Sequence, residues 1–109
     1  MKRGDIVLVT MRGDYGKPRP AVIVQTNLLN PTHASFLLCL LTSDYYNAPL
    51  YRIEITPRPS NGLNEISYVM VDKVAAAPAA RIKKRVGVLT SDEIAAVDKS
   101  LAFVLGLGG

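Results

Sequence analysis

Thr90-Ser91-Asp92-Glu93-Ile94-Ala95-Ala96-Val97-Asp98-Lys99-Ser100-Leu101-Ala102-Phe103-Val104-Leu105-Gly106 decides the fold, because it is the one amphipathic helix this chain offers. Thr90 and Glu93 have the spacing of a capping box, in which the hydroxyl accepts from the Glu93 N–H and the carboxylate reaches back to the Thr90 N–H. Asp92 and Glu93 sit in the first turn, where the helix dipole favours acids. Ile94, Val97, Leu101, Val104 and Leu105 fall on one face, which predicts a core-facing stripe, and Gly106 supplies the stop.

Everything upstream of that helix reads as strand. Five short runs are expected at residues 5–11, 21–26, 35–42, 51–56 and 66–74. Between them lie turn-rich segments such as Arg12-Gly13-Asp14-Tyr15-Gly16 and Pro57-Arg58-Pro59-Ser60-Asn61-Gly62. Arg52-Ile53-Glu54-Ile55-Thr56 alternates, which turns Ile53 and Ile55 inward. Val22 to Val24 and Leu37 to Leu41 are apolar on both faces, so they belong in central strands covered on the second side by a helix or a partner chain. Strands followed by one helix, with no βαβ alternation, predict a mainly β fold: a small barrel or curled sheet closed by the C-terminal helix.

The chain has 109 residues, of which 49% are hydrophobic, enough for one domain over residues 1–109 with its own core. No segment approaches the ~20 apolar residues of a membrane span. The charged opening Met1-Lys2-Arg3-Gly4-Asp5 and the short apolar stretch after it do not read as a signal peptide, so a cytoplasmic protein is expected. Cys39 is the single cysteine and lies inside Phe36-Leu37-Leu38-Cys39-Leu40-Leu41, the setting of a buried, inert thiol. His33 is also alone and follows Pro31-Thr32 in a loop, which leaves no Ser/His/Asp arrangement. With neither clustered carboxylates nor a histidine pair, no metal and no other cofactor is expected.

Thirteen basic against nine acidic residues give a net charge of +4, which suits a polyanionic partner. Lys2, Arg3, Arg12, Lys17 and Arg19 crowd the first fifth of the chain, and Arg81, Lys83, Lys84 and Arg85 form a second cluster. Within the first, Gly16-Lys17-Pro18-Arg19-Pro20 is the most informative. The two prolines fix their own φ and extend the residues before them, so Arg19 projects from a stiff backbone with a planar fork of donors suited to phosphate. Thr42-Ser43-Asp44 at the end of the third strand and Asp72-Lys73 within the fifth are the other polar interruptions of apolar runs. Ends of neighbouring strands converge in a small barrel, which would bring Arg19, Thr42 and Asp72 toward one pocket. Such a trio suits RNA cleavage by the substrate's own 2′-OH, which needs a base, an acid and donors for the charge growing on phosphorus. Ordinary alternatives stand beside this reading: a strand-ending turn at Thr42 and a salt bridge from Asp72 to Lys73 or Arg81.

In order and spacing these segments resemble the PemK/MazF toxins of bacterial toxin–antitoxin systems along nearly the whole chain. Lys2-Arg3-Gly4-Asp5-Ile6-Val7-Leu8-Val9 is similar to the family's opening strand, Gly16-Lys17-Pro18-Arg19-Pro20-Ala21 to its arginine motif, and Leu41-Thr42-Ser43 to its threonine motif. Val71-Asp72-Lys73-Val74 resembles its Asp-Gln-Ile/Val segment, and Arg85-Val86-Gly87-Val88-Leu89 its closing strand. The resemblance implies an SH3-like barrel and a homodimer. It also implies metal-independent, sequence-specific cleavage of single-stranded RNA that leaves a 2′,3′-cyclic phosphate and a 5′-OH, stops translation and growth, and is neutralised by an acidic antitoxin. It makes Arg19 and Thr42 the catalytic pair, with Asp72 in an acid–base or structural role. Asp14, Tyr15, Lys17, Ser43 and Tyr45 flank these motifs as RNA-binding candidates, and Tyr15, Tyr45 and Tyr46 offer rings on which bases stack. The chain departs from many relatives in two places. Its loop Arg12-Gly13-Asp14-Tyr15-Gly16 replaces a Ser-Glu-Gln stretch, leaving Asp14 as the substitute for the glutamate, and Met70 stands where some members have an arginine. Two other functions are open to the same fold. One is a gyrase poison like CcdB, although the tryptophan such proteins depend on is missing; the other is a non-catalytic binding module.

Overall fold

A computed structural model describes residues 1–108. Six strands run in the order β1 (Asp5–Thr10), β2 (Pro18–Ile23), β3 (Ser35–Thr42), β4 (Arg52–Ile55), β5 (Ser67–Pro78) and β6 (Ile82–Val88). A 3-10 turn, Ala79–Arg81, joins β5 to β6, and helix α1 (Ser91–Val104) ends the chain. All pairings are antiparallel, in the spatial order β4-β5-β3-β2-β1-β6. The architecture is mainly β with one C-terminal helix; the sheet curls like a barrel wall while its ladder stays open between β4 and β6.

Two apolar clusters lie on opposite faces of this sheet, as the period of two along each strand requires. Ile6, Val22, Cys39, Leu41, Ile55, Val69 and Val71 face α1 and meet Val97, with Ile94, Leu101 and Val104 packed around them. The opposite face gathers Val7, Val9, Ala21, Ile23, Phe36 and Leu38, closed by Ala77 and Ile82. The central strands are therefore covered on their second side by the chain's own β5 and β6. Burial pushes the Cys39 thiol up to about 12, so it stays protonated and inert.

Helix α1 follows the capping box: Glu93 N–H donates to Thr90 Oγ1 at 3.2 Å and Thr90 N–H donates to Glu93 Oε1 at 2.9 Å. At its other end Gly106 adopts φ 72°, and the Leu107 and Gly106 N–H groups donate to Ala102 O and Phe103 O, the double bond of a Schellman stop. Leu105 departs from expectation. It is the C-cap residue, past the last helical turn, and is 59% exposed instead of lying on the core face. Arg58 donates to Glu93 through both Nη atoms, at 3.0 and 2.6 Å, and Arg3 pairs with Asp98 at 2.6 Å; together they pin α1 to the sheet.

Strand bounds differ from expectation by more than one residue in three elements: β2 lies three residues early at both ends, β5 runs four residues further, and β6, outside the five expected runs, starts at Ile82, ahead of the closing strand expected at Arg85. Pro18 and Pro20 pair with β1, while the ladder to β3 starts only at Ala21, so the missing N–H groups fall where β2 has one neighbour. β5 runs on to Pro78 because Ala75, Ala76 and Ala77 continue the ladder along Leu38, Leu37 and Phe36. An irregularity in the β3–β5 register between Cys39 and Leu41 accompanies the bend of β5.

Candidate functional site

Registers decide which side chains meet. Arg19 pairs with Val9 on β1, and Ala21 pairs with Leu40 on β3. The β2–β3 ladder ends at that pair; its register, carried two residues beyond the last bonded pair, points Arg19 toward Thr42. Thr42 in turn pairs with Tyr68 on β5, and Tyr68 pairs with Glu54 on β4. Residues opposite one another in antiparallel strands point to the same face. Thr42, Tyr68 and Glu54 therefore form one row across three bonded strands, on the face turned away from α1, each step about 4.8 Å wide, and Arg19 lies on the same face past the end of the β2–β3 ladder.

Arg19 is 36% exposed at its side chain, and Asp14 Oδ2 lies 3.7 Å from its Nη1. That oxygen is buried and receives no hydrogen bond. Asp14 is fixed by its turn: its N–H donates to Met11 O, its carbonyl accepts from the Lys17 N–H, and the next residue, Tyr15, holds a left-handed φ of 53°. Tyr15 itself is fully exposed at the loop tip and Lys17 is exposed beside it.

Thr42 Oγ1 accepts from the Asp44 N–H at 3.1 Å, so the hydroxyl caps the turn that ends β3 while its own proton stays uncommitted. The turn carries Ser43 and Tyr45, both exposed. The Tyr45 ring meets Tyr68 edge to face at 5.7 Å, and Tyr46 stands 6.3 Å from Tyr51. A groove of about 280 Å³ opens here, lined by Tyr45, Tyr46, Asn47, Arg52, Glu54 and Tyr68. Burial, and then the neighbouring Glu54 carboxylate and Tyr45, push the Tyr68 phenol above its ordinary value.

Asp72 is held elsewhere. Arg52 donates to it from Nε at 3.0 Å and from an Nη at 3.4 Å, and the same guanidinium covers the Tyr46 ring at 5.1 Å. The carboxylate beside Arg19 is Asp14, and the cation on Asp72 is Arg52 rather than Lys73 or Arg81. Arg52, Glu54 and Tyr68 were not singled out from sequence. The alternation of Arg52-Ile53-Glu54-Ile55 was the available signal, since it sends Arg52 and Glu54 together to the outer face.

The two basic clusters touch at one point, where Arg12 from the β1–β2 loop and Arg81 from the β5–β6 connection line one pocket of about 240 Å³; Lys83 and Lys84 are exposed on β6, while Arg85 pairs with Asp5 and Arg3 with Asp98. His33 is exposed in its loop. Among the described residues no three His, Cys, Asp or Glu side chains converge as metal ligands, and no helix is long and apolar enough to cross a membrane.

The family profile described as "PemK-like, MazF-like toxin of type II toxin-antitoxin system" matches residues 2–105. The curated protein "Probable endoribonuclease MazF" from Mycolicibacterium smegmatis is 40% identical to this chain, with full coverage of both. Among solved structures, "Mycobacterium tuberculosis toxin MazF-mt6" superposes with a TM-score of 0.82 at 18% identity, covering 96% of this chain and 99% of that one. "Endoribonuclease in complex with its cognate antitoxin from Mycobacterial species" gives 0.82 at 22% identity, with 100% and 98% coverage. A MazE-MazF structure from Deinococcus radiodurans gives 0.78 at 21%, with 99% and 97% coverage. These structures share the fold.

Proposed function

We propose, from the premise that this chain belongs to the PemK-like, MazF-like toxins of type II toxin–antitoxin systems, that it is an endoribonuclease whose reacting phosphate sits on the Arg19–Thr42 end of the outer row. The observation that supports this reading is the β2–β3 register, which carried past its last pair points Arg19 toward Thr42, a residue whose hydroxyl proton has no acceptor among the described residues. The substrate's 2′-oxygen attacks phosphorus, charge grows on the non-bridging oxygens, and the P–O5′ bond breaks, the departing 5′-oxygen taking a proton from water. The Arg19 guanidinium and the Thr42 hydroxyl donate to that growing charge. Asp14, whose Oδ2 lies 3.7 Å from Arg19 Nη1 and accepts no hydrogen bond, is our candidate to receive the 2′-OH proton, through its other oxygen. Asp72, occupied by Arg52, serves as a positioning residue that ties β4 to the bend of β5.

The attack supplies its own nucleophile, so no metal is required, and the products are a 2′,3′-cyclic phosphate and a 5′-OH. Single-stranded RNA is the substrate because its bases are free to splay onto Tyr45 and Tyr46, while Lys17 and Ser43 flank its backbone. Cleavage of mRNA in the cytoplasm then stops translation and growth until an acidic antitoxin covers the basic face. Leu50, Phe103 and Leu105, exposed beside α1, support a protein-facing surface for a second copy of the chain or for that antitoxin.

Primer extension on a mixed RNA incubated with protein in EDTA tests the reading. Wild type is expected to give discrete stops at one short sequence, and Arg19→Ala and Thr42→Ala to give none. Undiminished stops from both variants would overturn it.

A further inference from the structure

The far end of the outer row carries an acceptor with nothing to accept. Glu54 is exposed, and among the described residues no hydrogen bond or ion pair engages its carboxylate. The nearest cation in the groove, Arg52, is already committed to Asp72 and to the Tyr46 ring, and its side chain is only 10% exposed. Glu54 therefore stands without a partner among the described residues, beside two aromatic rings. Tyr68 is its cross-strand neighbour, and Tyr45 stands edge-on to Tyr68.

An open groove lined by tyrosine rings, with one carboxylate among its lining residues, has a definite preference among bases. Stacking on tyrosine accepts every base alike, so the walls supply affinity without choice. The carboxylate supplies choice, because it only accepts, through two oxygens side by side. Guanine alone presents two adjacent donors on its Watson–Crick edge, the N1–H and the N2 amino group. Adenine and cytosine present one amino group beside a ring acceptor that repels a carboxylate, and uracil presents one N–H between two carbonyls. Glu54 lies two strand spacings, about 10 Å, from Thr42, so the base it reads belongs to a nucleotide close to the scissile bond.

We infer that the Tyr45, Tyr68 and Glu54 groove is a guanine-selecting subsite of the RNA path, with Glu54 pairing to the N1 and N2 donors. This rests on the endoribonuclease reading above and specifies its substrate. Fluorescence anisotropy with short 2′-O-methyl RNA tests it, since blocking the 2′-oxygen prevents cleavage. A pool randomised around the cut site supplies the sequence context, and three oligonucleotides then differ at one base: guanine, inosine, which lacks only the N2 amino group, or adenine. Wild type is expected to bind the guanine oligonucleotide about tenfold more tightly than the adenine one, with inosine between them. In Glu54→Gln and Glu54→Ala that ratio falls to within twofold. A wild-type protein that cleaves RNA but binds guanine and adenine equally at every position of the pool overturns the subsite and leaves the nuclease reading standing. A ratio that survives both substitutions overturns it too, and a protein that neither binds nor cleaves removes both readings.

Discussion

Replacing Thr42 by valine keeps the shape of the side chain and removes one oxygen. In the fold that oxygen has a single partner, the Asp44 N–H at 3.1 Å, in an exposed turn. Losing an exposed hydrogen bond of this kind costs about 0.5–1 kcal/mol, and valine is a better strand former than most residues that fit there. A thermal midpoint lowered by no more than about 4–8 °C is therefore expected. Activity should respond on a different scale. The Thr42 proton has no acceptor among the described residues, and in the proposed mechanism it is the second donor, after Arg19, to the reacting phosphate. Removing one donor aimed at developing charge typically lowers kcat by about 10²–10³, or ~2.7–4 kcal/mol. The site is open to water, which places the expected loss at the lower end, about 100-fold. Thr42→Ser retains both roles of the hydroxyl and should stay within about tenfold of wild type. Single-turnover cleavage of a fluorophore–quencher RNA in EDTA, with thermal melts of the same samples, reads both quantities. Valine at 42 with a normal melt and a rate within threefold of wild type would refute the role given to the hydroxyl. A lost rate accompanied by a collapsed melt would reassign Thr42 to the turn.

Gly87→Ala should destabilise by about 3 kcal/mol or more, because a Cβ there would overlap the backbone of Asn61, a fully buried residue that holds the Arg58 and Leu63 N–H groups and the Thr56 carbonyl. Gly106→Ala, in open space at φ 72°, should cost only about 1 kcal/mol, and urea midpoints that rank the two in the opposite order would discard the packing argument. For Glu93, burial raises the carboxyl pKa, but hydrogen bonds from Arg58 and Thr90 outweigh it and hold the group below its ordinary 4.5. A folded pKa below the unfolded one means that this stabilisation is complete above about pH 5 and is lost as pH falls through the folded value. The urea-midpoint gap between wild type and Glu93→Gln should therefore narrow between pH 5 and 3; a gap constant over that range would remove Glu93 from the acid sensitivity.

Local chemistry was legible where a few adjacent residues settle a structure. The capping box at Thr90 and Glu93 fixed the start of α1 because both partners lie within one turn, and the stripe of Ile94, Val97, Leu101 and Val104 fixed its buried face. Leu105 was misplaced because helical spacing says nothing of where the last turn unwinds. The end of β5 was hidden for a related reason: Ala75-Ala76-Ala77 has no polar–apolar alternation, and its pairing to Leu38, Leu37 and Phe36 is a long-range property. Site residues divide along the same line. Arg19 announced itself through two prolines and Thr42 through a strand-ending turn, but whether they meet depends on register, where a slip of one residue would send Thr42 to the α1 face. The Arg52 partner of Asp72 was invisible in this way, since the two are far apart in sequence and are joined only by the β4–β5 ladder.

Register also bears on how this fold would hold the proposed RNA substrate. A row of side chains across antiparallel strands is spaced by the backbone hydrogen bonds, so Thr42, Tyr68 and Glu54 stand at steps of about 4.8 Å that side-chain packing does not have to set. The two cores lock the strands beneath: Val22, Cys39 and Val69 hold one face and Ala21 and Leu38 the other. Thr42 also caps its turn, whereas exposed Glu54 and Tyr45 bury nothing in either core, so on the proposed RNA path they are the positions where base preference would vary while the phosphate stays with Arg19 and Thr42.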